Sequence, residues 1–90
     1  MRYVYLLQSL NRPKKTYVGQ TSNLRNRFAA HNAGQSTHTA KYKPWHLTAY
    51  FAFADDRTAI AFERYLKSAS GRAFAKKRLS SESAYPKSHG

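Results

Sequence analysis

Met1-Arg2-Tyr3-Val4-Tyr5-Leu6-Leu7-Gln8-Ser9-Leu10-Asn11-Arg12-Pro13-Lys14-Lys15-Thr16-Tyr17-Val18-Gly19 opens the chain and decides how it folds. Over residues 3–8 apolar side chains fill both alternating positions, Tyr3, Tyr5 and Leu7 on one and Val4 and Leu6 on the other. That pattern belongs to a strand covered on both faces. Asn11 to Lys15 carries turn chemistry, and Thr16-Tyr17-Val18 resumes with β-branched and aromatic residues. The two runs read as an antiparallel hairpin whose first strand is central.

Working outward, Gly19 ends the second strand, and Ser22 or Asn23 can cap a helix over residues 23–32 that Gly34 closes. Leu24 and Phe28 supply its apolar stripe. Residues 34–44 read as a polar, basic loop. In Trp45-His46-Leu47-Thr48-Ala49-Tyr50-Phe51-Ala52-Phe53 the odd positions are apolar throughout, which predicts a third strand with one strongly buried face. Asp56 then caps a helix over residues 57–69, and Gly71 separates it from a short basic helix over residues 72–79. The expected fold is α+β, a three-stranded antiparallel sheet flanked by helices in the order ββαβαα. Residues 1–79 form the domain, and Ser80 to Gly90 reads as a flexible C-terminal tail.

At 90 residues there is room for one core and no second module. Sixteen Lys and Arg against four Asp and Glu give a net charge of +12, which points to a polyanionic partner. Nucleic acid is the expected one; the plain alternatives are a highly soluble basic domain or a ribosome-associated protein. The acids are Asp55, Asp56, Glu63 and Glu82, so residues 1–54 carry eight Lys and Arg and no carboxylate. A two-metal site bridged by several carboxylates is hard to build from that set. Without cysteine there is no disulfide framework and no thiolate metal site, and the opening residues lack the long apolar run of a signal peptide. No segment approaches the ~20 apolar residues of a membrane span. The expectation is a cytoplasmic protein with no membrane partner.

Several residues can carry chemistry. With Leu24 at 0° on a helical wheel, Phe28 falls at about 40°, His31 at about −20° and Arg27 at about −60°. Arg27 and His31 therefore share a face beside the apolar stripe, where a phosphate, or a neutral imidazole, would relieve their proximity. The plain alternative is a snorkelling Arg27 and a satisfied neutral His31. Glu63 falls inside an arc holding Ala59, Ile60, Phe62 and Leu66, which aims a carboxylate at the apolar side; alternatively it makes an exposed i,i+4 pair with Lys67. Asp55 and Asp56 read as capping residues. Tyr3, Tyr5 and Tyr17 sit on paired strands near the start of the first helix, where one or two hydroxyls can face a common cleft. A tyrosine base near neutral pH would need cations to lower its pKa from about 10. Tyr42 and Tyr50 read as packing residues. His31, His38, His46 and His89 show no zinc spacing, and there is no phosphate-binding glycine motif.

Tyr3-Val4-Tyr5, Tyr17-Val18-Gly19, Arg27 with His31, and the helical Glu63, taken in that order, resemble the GIY-YIG nuclease domain in its small single-domain form. Leu66-Lys67-Ser68 and Lys76-Lys77-Arg78-Leu79 add to the likeness. The resemblance implies a sheet flanked by helices and endonucleolytic hydrolysis of DNA phosphodiesters with one divalent metal, usually Mg²⁺, with Mn²⁺ as the substitute. It further implies that Tyr5 and Tyr17 line the cleft, one of them as general base. Arg27 would stabilise charge on the phosphate, His31 would assist proton transfer and Glu63 would ligate the metal. Arg25, Lys41, Lys43, Arg72, Lys76 and Lys77 are the expected backbone contacts, which position without specifying sequence. DNA is favoured over RNA, and a role in DNA repair or processing would follow. The sequence departs from the family pattern at Tyr3, where a glycine is usual, and in having no Asn beyond Asn32. The rival expectation is a binding module of the same fold without turnover.

Overall fold

The computed structural model describes residues 1–79, and the tail expected over residues 80–90 lies outside them. Strands β1 (Arg2–Ser9), β2 (Thr16–Thr21) and β3 (Trp45–Phe53) form one antiparallel sheet in the order β2-β1-β3. Helices α1 (Leu24–Asn32), α2 (Thr37–Ala40), α3 (Asp56–Leu66) and α4 (Ala69–Arg78) flank it. This is the expected α+β fold and element order, with α2 as an added turn of helix in the stretch read as loop.

Burial follows the two-sided reading of β1, whose Val4, Tyr5, Leu6 and Leu7 are all buried. Its even side joins Ala59 and Leu66 in a core beneath α3 and α4, with Phe53 and Phe62 packed against it. The odd side joins Tyr5, Leu7 and Trp45 beneath α1, with Leu24 and Phe28 against them. The apolar stripe of α1 is therefore as expected.

β3 differs from its reading. The pairing with β1 shifts between Leu6 and Leu7, so that Ala49 stands opposite Leu6 while Leu47 stands opposite Leu7. Thr48 is the extra residue of a β-bulge. One residue of slip exchanges the faces. Trp45 and Leu47 therefore serve the α1 core, and Phe51 and Phe53 pack on Phe62 of α3. Among these five odd positions only Trp45 is fully buried.

The helix ends refine three further expectations. Asn23, not Ser22, caps α1 through the Asn26 amide, and Gly34 at φ 79° completes a Schellman ending, with Gly34 N bonded to His31 O and Gln35 N to Ala30 O. Asp55 rather than Asp56 caps α3, accepting from Arg57 N at 2.9 Å, while Asp56 lies in the first turn, 3.7 Å from Arg2. The break before α4 falls at Lys67 and Ser68, with the Ser68 hydroxyl accepting from Gly71 N. Gly71 lies inside α4, so close to the Tyr65 carbonyl that any Cβ would overlap it.

Candidate active site

Tyr5, Tyr17 and Gly19 lie on the sheet face that α1 covers, because β1 and β2 pair Tyr5 with Gly19 and Leu7 with Tyr17. The missing side chain at Gly19 gives the Tyr5 ring its place: a Cβ there would stand 2.5 Å from the Tyr5 hydroxyl and 3.0 Å from the Tyr17 ring. From α1, His31 reaches into the same space and its ring centroid lies 5.0 Å from that of Tyr17 and 5.8 Å from that of Tyr5. The Tyr5 hydroxyl meets His31 Nε2 at 2.9 Å, and His31 Nδ1 meets the Thr39 hydroxyl of α2 at 2.8 Å. Both imidazole nitrogens are thus engaged, inside a residue only 1% exposed.

Burial sets the charge states. Desolvation holds His31 below its usual 6.5, and the neighbouring Arg27 guanidinium lowers it further. The imidazole is neutral at neutral pH. Tyr5 does not show the lowering that a free-standing tyrosine base near neutral pH would need. Desolvation and the nearby Tyr17 raise its phenol well above the ordinary 10.0, Arg27 opposes the rise, and Glu63 adds to it. Tyr5 is therefore a phenol, and its oxygen can accept a proton only if its own proton leaves toward His31. Arg27 itself is exposed and lines an open cleft with His31, Thr21, Asn26 and Gln35.

Glu63 approaches from the other layer. On α3 it is half-buried, with Oε1 accepting from Gln20 Nε2 of β2 at 3.1 Å and Oε2 at 3.1 Å from Lys67 Nζ. It faces the sheet, as the first reading expected, and it also makes the i,i+4 pair, although with a carboxylate that is mostly covered rather than exposed. Its negative charge is near enough to Tyr5 to oppose ionisation of that phenol.

The structure thus brings together Tyr5, Tyr17, Arg27 and His31, with Glu63 behind the edge strand. It does not gather the six basic residues. Arg25, Lys41 and Lys43 are exposed on or beside α1 and α2, with Lys41 over the Tyr42 ring, whereas Arg72, Lys76 and Lys77 sit on α4 across the sheet. Thr39 and Gln20 were not singled out from sequence. For Gln20 a signal existed, since it shares the α3 side of β2 with Val18, and a polar group there needs a partner. Thr39 lies in a helix too short for periodicity to show.

A family model of the GIY-YIG catalytic domain matches residues 1–78. The chain belongs to the GIY-YIG family. No curated protein matches it. A GIY-YIG domain carries a nuclease-type function, generally endonucleolytic and generally dependent on a divalent metal, and its partner is nucleic acid. No described helix of this GIY-YIG domain is long and apolar enough to cross a membrane.

The donor set bears on that metal. Among the described residues no three His, Asp or Glu side chains cluster, so a closed protein cage is not on offer. Mg²⁺ does not need one, because it keeps several waters and takes one or two carboxylates plus substrate phosphate. Glu63, held by Gln20 and paired with a half-exposed lysine, fits that one-carboxylate role.

Proposed function

We propose that this GIY-YIG protein is a cytoplasmic, divalent-metal-dependent endonuclease that hydrolyses DNA phosphodiester bonds with low sequence selectivity and serves DNA repair or processing. The hydrogen bond between Tyr5 and a neutral His31 carries the reading. Tyr5 takes the proton of the attacking water as its own proton passes to His31 Nε2, and Thr39 holds the imidazole in place from Nδ1. Among the described residues the Tyr17 hydroxyl has no such acceptor, which favours Tyr5 as the base and leaves Tyr17 to pack the His31 ring. Arg27 faces the phosphate at the cleft mouth and stabilises the charge that develops there. Glu63 would hold the metal, Mg²⁺ or Mn²⁺, which supplies charge neutralisation when bound. Selectivity is low because the exposed Arg25, Lys41 and Lys43 suit backbone contacts.

The test is cleavage of labelled single-stranded, duplex and branched DNA with Mg²⁺ or Mn²⁺. Wild type should cut, while Glu63→Ala, Tyr5→Phe and an EDTA control should not. Binding without cleavage in every lane would instead make the domain a nucleic-acid-binding module.

A further inference from the structure

On the far side of the α1 start from the Arg27 cleft lies a second groove of about 400 Å³. That is within the ~300–1,000 Å³ range of ligand clefts. Half-buried Leu24, Phe28, Leu47 and Tyr3 line it, together with the exposed Tyr50 and Arg25. The bulge at Thr48 matters here. It puts Tyr50 on the α1 face of the sheet beside Tyr3, where the two rings meet edge to face with centroids 6.3 Å apart. Tyr50 was read from sequence as a packing residue, yet it remains 56% exposed. An aromatic ring left open on a half-apolar floor, with a guanidinium at its border, is the arrangement on which nucleobases stack.

The geometry points to this groove as a subsite for one unpaired nucleobase of a nucleic-acid strand, stacked on Tyr50 with Tyr3 behind it. The inference rests on the protein's acting on nucleic acid. Continuity with the Arg27 cleft supports this occupant, since Ser22 and Asn23 border both spaces. A strand with a phosphate before Arg27 can therefore turn a neighbouring base over the start of α1. Charge supports it too, because a net +12 draws a polyanion to either side of that helix. Base stacking tolerates every sequence, so the subsite selects unpaired over paired strands without reading their order.

The test uses the full chain in EDTA, so that nothing is cut, with a short single strand carrying 2-aminopurine and the matching duplex as probes. Wild type should quench the 2-aminopurine and bind the single strand. Tyr50→Ala should lose the quench and weaken single-strand binding about five- to a hundred-and-fifty-fold, the equivalent of one lost base–aromatic stack. Duplex affinity should hold, and Tyr50→Phe, which keeps the ring, should behave as wild type. Absence of single-strand binding by wild type overturns the subsite, as does a Tyr50→Ala protein with unchanged affinity and quench; the latter would leave the groove to a protein partner. Because no cleavage is measured, failure of the nuclease reading in the Mg²⁺ assay leaves this result standing, and the reverse also holds.

Discussion

His31 and Thr39 are joined at 2.8 Å between an imidazole nitrogen and a hydroxyl that are both sealed from water, each residue being 1% exposed. This contact ties the four-residue α2 to the helix carrying the histidine. Thr39 is further anchored through its carbonyl, which accepts from Trp45 Nε1 at 2.9 Å. Thr39→Val keeps the shape and removes the hydroxyl, leaving one imidazole nitrogen buried without a partner. A loss of about 1–3 kcal/mol in denaturant melts is expected. Activity should fall on the order of ten- to a hundredfold, as when metal-binding histidines lose an orienting partner. Thr39→Ser should restore both, and the ¹⁵N shifts of the His31 ring should change in the valine variant alone. Unchanged ring shifts would refute the positioning role.

The same buried imidazole makes folding sensitive to acid. Folded His31 binds a proton less readily than an unfolded histidine at about 6.5, owing to desolvation and then Arg27. Between the two pKa values the unfolded chain carries more protons, so stability rises with pH there and is lost as pH falls below about 6.5 toward the folded value. Urea melts across pH 7.5 to 4, taken on wild type and on His31→Asn as a nontitrating reference, check this; about the same pH slope in both would refute it.

Gly19→Ala tests how the strands seat Tyr5. The added Cβ would fall 2.5 Å from the phenolic oxygen and 2.7 Å from the carbon that bears it. The buried ring has little room to yield, so about 1–3 kcal/mol of destabilisation is expected, as for other overpacked sites. Because the hydroxyl must move off His31, activity should drop by more than the unfolded fraction explains. Full activity in folded Gly19→Ala would show that the Tyr5–His31 contact is dispensable.

Why Tyr5, Tyr17, Arg27 and His31 could be found in the sequence is physical in part. The strand pattern puts Tyr3, Tyr5 and Tyr17 on paired strands and i,i+4 spacing puts Arg27 and His31 on one helix face, while the choice of Tyr5 and Tyr17 among the tyrosines comes from the family resemblance. Glu63 was legible through its helical spacing on α3. The bulge was not, because Trp45 to Phe53 alternates in sequence whether or not Thr48 is inserted into the pairing. With it went the divided roles of Trp45 and Phe51 and the exposure of Tyr50. Adjacent Asp55 and Asp56 are equivalent as caps until the backbone chooses one, and Gly71 marks a close helix approach as readily as a break. The six basic residues fall on both sides of the sheet, and the sequence could not sort them because charge has no period that tells one layer from the other.

The bulge also leaves a mark on stability. The Thr48 hydroxyl is buried and has no hydrogen-bond partner among the described residues. Thr48→Val replaces it with a methyl group of the same shape and suits a strand. A gain of about 1 kcal/mol is expected, equivalent to a rise of about 4–8 °C in Tm for a domain this size. A fall in Tm would mean that the hydroxyl is satisfied.

Metal binding should be set by competition at Glu63. Its Oε2 is engaged by Lys67 at 3.1 Å and its Oε1 by Gln20 at the same distance, so an incoming cation must displace the lysine while the amide holds the carboxylate in place. Lys67 is half exposed and can leave readily. Such an i,i+4 pair is worth only about 0.3–0.5 kcal/mol, and Lys67→Ala should therefore tighten Mn²⁺ binding about twofold through loss of the competitor. Loss of a nearby positive charge acts in the same direction. Glu63→Gln should abolish binding, and Gln20→Ala should weaken it by letting the carboxylate swing. The electron paramagnetic resonance signal of free Mn²⁺, titrated with each variant, measures this without any cleavage. A Lys67→Ala protein that binds no tighter, or a Glu63→Gln protein that binds as well as wild type, would take the metal away from this carboxylate.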